Sequence, residues 1–243
     1  MEEAARDLAS IRDEKRAAIV AEIPPGYSPA FHLAFPTLLG LSVLVASLLG
    51  IAALRPIELL TVPITLFAGF GFEWRAHKDI LHRRMPLLGV IYERHELSHH
   101  VIYTDRDMAM KSPREMWLIL MPPYAIVLVF LTLVLPLGIG LSHFLGTNVA
   151  MLGVATSMVF FLSYEWLHLA YHLPPEHPIS RLGIISLLRE HHRRHHEPRL
   201  MKRWNFNVTV PLFDWLHRTT WSPEREAAWR ARRASRKPTR AVP

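Results

Sequence analysis

Residues 148–172 read NVAMLGVATSMVFFLSYEWLHLAYH. Up to Trp166 the stretch is mostly apolar. It approaches the roughly 20 residues that a helix needs to cross a bilayer. Two histidines follow at once, His168 and His172, four residues apart. Positions i and i+4 share one face of a helix, so this pair can grip a single ion. A membrane helix that emerges into a histidine pair raises two questions. One is how many such spans the chain has, and the other is how many histidines wait beside them.

Three further apolar blocks have the length of a span or nearly so: about 31–54, about 57–74, which is short, and about 116–139 with Pro122 and Pro123 near its start. With 148–166 they predict an all-α integral membrane protein of four transmembrane helices. Arg55 and Pro56 alone join the first two, and the nearly uncharged stretch 138–147 joins the last two. The spans therefore pair as two hairpins with both tips on one side. Residues 1–29 form an amino-terminal cytosolic or interfacial segment, 30–220 the membrane domain, and 221–243 a basic tail.

The chain has 243 residues and a net charge of +7. Of its 28 Lys and Arg residues, Arg55 alone lies in a hairpin tip. By the positive-inside rule, the polar segments and both termini are cytosolic. The charge then reflects topology and attraction to anionic lipid headgroups, with no nucleic-acid partner. The first 22 residues are charged throughout and lack the apolar core of a signal peptide. They read as an interfacial helix with a weak apolar stripe of Leu8, Ile11 and Ile19 and no functional content. There is no cysteine, which excludes disulfides, thiolate zinc sites and Cys-ligated iron–sulfur clusters.

Fifteen histidines are the unusual feature. Ten fall into four groups on the cytosolic side: His77 and His82; His95, His99 and His100; His168 and His172; His192, His195 and His196. Besides His168/His172, spacing makes His95/His99 and His192/His195 candidates to share an ion. Adjacent residues point about 100° apart, so His99/His100 and His195/His196 each reach two ions. His77 and His82, five apart, also serve different ions on a regular helix. The pattern predicts a cytosolic helical cap over a dinuclear site. His191 is a possible spare ligand. His32, His143 and His177 stand outside the pattern, and His217 is left unassigned. Glu73 and Glu165 each precede a histidine group at the membrane edge, where ionisable groups are costly. Both are read as acceptors that orient imidazole N–H groups.

In order, the motifs are HKDILH, HELSHH, HLAYH and HRRHH, followed by Asn205-Phe206 and by Asp214 in an aromatic context before Thr219. Over about residues 30–220 this resembles the fatty acid hydroxylase and sterol desaturase superfamily of membrane histidine-box oxygenases. The resemblance implies two iron ions held by the ten histidines, with Asn205 and Asp214 supporting them from behind. It implies O₂ as co-substrate and a lipid C–H bond that is hydroxylated or desaturated. A separate electron donor, of cytochrome b5, ferredoxin or reductase type, supplies the electrons. Zinc found in purified protein would be a replacement for iron, since the affinity order favours it. The Arg, Ala and Pro usage points to a bacterial inner membrane rather than endoplasmic reticulum.

Two other readings compete. HELSH matches the zincin HExxH pattern, with Glu96 as candidate base, and would make a zinc-dependent membrane hydrolase. That reading leaves His77, His82, His168, His172 and the last group unexplained. A non-enzymatic metal-binding membrane protein is the other. Transport sites sit mid-bilayer within broken helices, whereas these histidines follow the spans.

Overall fold

The computed structural model describes residues 2–235; residues 236–243, the end of the expected tail, lie outside the described residues. Those described form ten main helices and no strand, besides the 3-10 turns Pro113–Glu115 and Pro178–Arg181: α1 (Glu2–Ala21), α2 (Pro29–Leu49), α3 (Pro56–Leu81), α4 (89–102), α5 (Met116–Ile119), α6 (Ala125–Leu145), α7 (Thr147–His172), α8 (Gly183–His195), α9 (Leu212–Leu216) and α10 (Pro223–Ser235). Helices α2, α3, α6 and α7 are long and apolar enough to cross a membrane. Their outward faces carry Leu38, Val45, Ile64, Phe67, Leu131 and Phe144, all well exposed. Such a girdle is an unfavourable surface in water and a suitable one in lipid.

Local sequence sets the ends of these helices. Ser28 accepts the Phe31 amide at 3.2 Å and Pro29 opens the first turn of α2. Gly146 joins α6 to α7 at φ +100°, a conformation that other residues adopt only with strain. The two short connections meet. The Asn148 side chain donates to the Ala52 carbonyl at 2.8 Å and accepts the Ala52 amide at 3.1 Å. It also donates to Glu58 at 3.0 Å.

Helix α7 is the hub and packs against α2, α3 and α6. Close approach needs small residues at the contacts: a Cβ on Gly138 would sit 2.9 Å from the Val154 side chain. The share of the apolar stretch buried inside the chain is 39% in α7 and 22% in the others, which places α7 innermost.

Several span boundaries differ from the sequence reading: the first span ends at Leu49 where about 54 was expected, and the third ends at Leu145 where about 139 was expected. Helices α3 and α7 run on to Leu81 and His172, so the histidines they carry continue the membrane helices directly. The third span starts at Ala125 instead of about 116. Its expected first turns form α5, after which Leu120 turns extended at ψ 152°. Pro122 and Pro123 supply no amide hydrogen and exclude helix from the residue before them. The freed backbone groups are satisfied from neighbouring helices. The Met121 amide donates to Glu165 at 3.1 Å, and the Met121 carbonyl lies 2.8 Å from Nε2 of His32.

Candidate metal centre

All ten motif histidines are buried at the ends of α3 and α7 and along α4 and α8. They form two groups of five. The first holds His77, His82, His95, His100 and His195; the second holds His99, His168, His172, His192 and His196. In each, one nitrogen per ring comes within 4.8 Å of all the others. The groups abut, because His100 stacks on His196 with ring centroids 4.2 Å apart.

Two π-helical turns decide who joins whom. Residues His77–Leu81 and Glu93–His99 are wound as π-helix. A π turn closes from i to i+5, and such turns are frequent at functional sites. His77 and His82 therefore share the first group, against the expectation from regular helix. His95 joins His100, five residues on, while its i+4 neighbour His99 falls in the second group. In α8 the i,i+4 pair His192 and His196 stays together and His195 turns to the first group, so the expected pairing of His192 with His195 does not form. His168 and His172 share a group, and the adjacent pairs His99/His100 and His195/His196 divide between the two.

Hydrogen bonds on the outer nitrogens orient the rings. In the first group, Nδ1 of His77 and of His195 face the carbonyls of Phe206 and Trp204 at 2.5 and 3.0 Å, and Nδ1 of His82 meets a Glu96 oxygen. In the second, Nδ1 of His196, His172 and His99 face the carbonyls of Tyr103, Met108 and Leu118 at 2.6, 2.7 and 3.1 Å. A carbonyl or carboxylate only accepts, so each of these Nδ1 atoms carries the hydrogen and donates it. A neutral imidazole then bears a bare lone pair on Nε2. Those lone pairs converge: Nε2 of His82 lies 2.9 Å from Nε2 of His195, and His99 lies 3.3 Å from His196. Neither atom of either pair has a hydrogen to give. Among the described residues, Nε2 of His168 and His172 is buried with no partner at all.

Burial keeps the rings neutral. It holds His95, His99, His100, His192 and His195 well below the ordinary imidazole value, and repulsion among neighbouring rings acts the same way. His196 is pushed down to about 3, again chiefly by burial. His82 is lowered by burial as well, with Glu96 opposing. For Glu96 burial acts upward, but its hydrogen bonds with His82 and Lys202 outweigh that and hold the carboxyl down. Converging neutral lone pairs that cannot bond to one another fit a cation. An all-imidazole donor set suits iron, copper, zinc or nickel, not the hard oxygen-seeking ions. Each group can hold one metal ion, and together they are compatible with a dinuclear site.

The supporting carboxylates sit elsewhere than expected. Among the described residues, neither Glu73 nor Glu165 hydrogen-bonds to an imidazole. Glu73 accepts from the Thr209 amide and hydroxyl at 2.9 and 2.5 Å and from the Val208 amide, tying α3 to the segment before α9. Glu165 serves the broken backbone at Met121. Both settle amides freed by irregular chain, a demand that local sequence does not display. Asp214 is fully buried and accepts from the amides of Phe206 and Asn207 at 2.9 and 2.7 Å and from Thr219 at 2.6 Å. It thereby fixes the carbonyl that faces His77. Asn205, at φ +57°, donates to the His191 carbonyl at 2.9 Å and touches no histidine ring. His191 lies outside both groups and faces Asp214 at 3.1 Å. His217 stacks on Trp74 at 4.2 Å, also outside. Sequence reasoning missed the backbone carbonyls of Tyr103, Met108, Leu118, Trp204 and Phe206, since a backbone acceptor leaves no mark on residue type. Only Glu96 was in sight, and as a base, not as a partner of His82.

No family model, curated protein or solved structure matches the chain.

Proposed function

We propose that this protein is a membrane-bound di-iron oxygenase. It hydroxylates or desaturates a C–H bond of a lipid, using O₂ and electrons from a separate donor protein. The observation that carries the reading is the pair of abutting five-histidine groups, in each of which one nitrogen of every ring is turned toward the others. Five imidazoles per group exceed the four ligands of a closed zinc site and suit an ion of higher coordination number. Bound iron would supply the redox chemistry that no side chain provides against an unactivated C–H bond.

The chain's own residues hold, orient and shield. The ten imidazoles are the proposed ligands. Carbonyls on two chain segments, together with Glu96, fix six rings by their outer N–H groups, which sets the tautomer and raises basicity at Nε2. Burial excludes bulk water from the cage. Helices α3 and α7 carry His77, His168 and His172 straight on from apolar helices, which supports a substrate that is dissolved in the membrane. The contact of Asn148 with Ala52 and Glu58 supports two hairpins whose tips share one side, with the histidine cap on the other. The Lys and Arg distribution supports a cytosolic cap and termini, and a bacterial inner membrane as location.

The zinc hydrolase reading fares less well. Its two HELSH histidines, His95 and His99, belong to different groups. Its base, Glu96, is engaged by His82 through one oxygen and by Lys202 at 2.8 Å through the other.

The test is lipid mass spectrometry of cells grown under ¹⁸O₂. Expression of the natural chain is expected to give a lipid with one added ¹⁸O atom, or one with two hydrogens fewer. The His168→Ala/His172→Ala variant gives neither. Identical lipids in both cultures reject an oxidative function.

A further inference from the structure

We infer that Arg16, on the amino-terminal helix α1, is a positioning residue for the second histidine group alone. The inference rests on the reading of both groups as metal sites. The three carbonyls that orient His196, His172 and His99 belong to Tyr103, Met108 and Leu118, all on one segment, 103–118. That segment has little regular structure of its own: one isolated bridge, Thr104 to Asp107, and two short helical turns. The buried guanidinium of Arg16 fastens it.

Arg16 donates through Nη2 to the Ala109 carbonyl at 2.8 Å and to Glu115 at 2.5 Å. It donates through Nε to the other Glu115 oxygen at 3.3 Å and through Nη1 to Asp107 at 3.2 Å. Glu115 passes the grip on, accepting the Tyr103 hydroxyl at 2.8 Å and the Lys111 amide at 3.2 Å. Tyr103 closes the circuit. Its carbonyl faces His196, and its ring packs on His99 and His172 with centroids 5.1 and 4.6 Å apart. Burial acts to lower the Arg16 pKa, but the Glu115 carboxylate outweighs it, so the clamp stays charged. Charge-assisted forks of this kind are among the stronger hydrogen bonds and are geometrically specific. Among the described residues no ring of the first group has a hydrogen bond to this segment; His195, His77 and His82 rest on Trp204, Phe206 and Glu96 instead. Helix α1, expected from sequence to carry no function, thus reaches one site and not the other.

The test titrates Fe(II) anaerobically into the full chain in detergent, for the natural protein, Arg16→Met, Arg16→Lys and an Asp13→Ala control. Asp13 pairs with the Lys111 side chain in an exposed ion pair at 2.9 Å, a tie from α1 to the same segment that by-passes the buried guanidinium and, like most surface pairs, contributes little. Natural protein is expected to bind two irons. Loss of such an outer support typically costs ten- to a hundredfold in metal affinity. Arg16→Met is therefore expected to weaken one iron by about that factor and leave the other within about threefold. In the His168→Ala/His172→Ala background, which keeps one iron, Arg16→Met changes nothing further. Arg16→Lys, which keeps the charge but not the fork, shows a smaller loss at the same site, and Asp13→Ala shows none. If Arg16→Met loses helical circular dichroism, the Arg16→Lys comparison decides. Two irons at natural affinity in both Arg16 variants, or equal weakening of both irons, overturns the inference. Natural protein that binds no iron overturns the metal reading as well.

Discussion

His82 and His195 point bare Nε2 atoms at each other across 2.9 Å, each with its only hydrogen committed on the far side of the ring, to Glu96 and to the Trp204 carbonyl. Two lone pairs at that separation repel unless a cation lies between them. Metal removal is therefore expected to destabilise the fold. Treatment with a chelator should lower the thermal midpoint in detergent, and Fe(II) or Zn(II) should restore it. At a hundredfold excess of free ion over Kd the restored stability is about 2.7 kcal/mol for a single site. A midpoint indifferent to chelator and metal would contradict the arrangement.

Asp214→Asn is expected to act through the Phe206 carbonyl. The carboxylate accepts two loop amides and the Thr219 hydroxyl, and Thr219 in turn takes the Trp74 indole N–H at 3.0 Å. The amide replacement brings hydrogens where only acceptors fit, at a cost of about 1–3 kcal/mol. Metal content should fall by one ion, from the group that contains His77. Unchanged metal content would separate Asp214 from the site.

Glu73→Gln provides the contrast. Glu73 holds the amides of Val208 and Thr209 and no imidazole. A loss of about 1–3 kcal/mol in stability is expected for the broken buried network. Metal per folded chain should remain that of the natural protein. A selective loss of one ion would restore the direct role that the sequence had assigned to it.

Acid should unfold the metal-free protein early. Burial holds His95, His99, His100, His192 and His195 well below the ordinary imidazole value. In the unfolded chain the same rings titrate near 6.5. Below that pH the unfolded state binds more protons, so stability is full above about pH 6.5 and falls as pH drops beneath it. Each such ring contributes a slope of about 1.4 kcal/mol per pH unit. Thermal midpoints of metal-free protein at pH 7.5, 6 and 5 check this. A flat profile would mean that the rings are already hydrated or charged.

Much of this was legible because it depends on residue type and spacing. Apolar block lengths marked the four spans, and ten histidines in four motifs marked the cage. The partition was legible only in part: the pairing of His168 with His172 and the division of His99/His100 and His195/His196 followed from regular helix, but the rest depends on winding. HKDILH and HELSHH look like ordinary helix, yet their π turns bring His77 to His82 and His95 to His100. The late start of the third span came from Pro122 and Pro123, whose freed backbone recruits Glu165 and His32 from distant positions. Arg16 escaped notice for a related reason. One arginine in a charged helix reads as solvated, and only the fold brings Glu115 and Asp107 to it.

The most direct measurement is metal content per chain in detergent-purified protein from iron-enriched cells, beside the His168→Ala/His172→Ala variant. About two metal ions including iron, falling to about one in the variant, is the expected result. About one zinc, untouched by the two substitutions, would contradict the dinuclear cage.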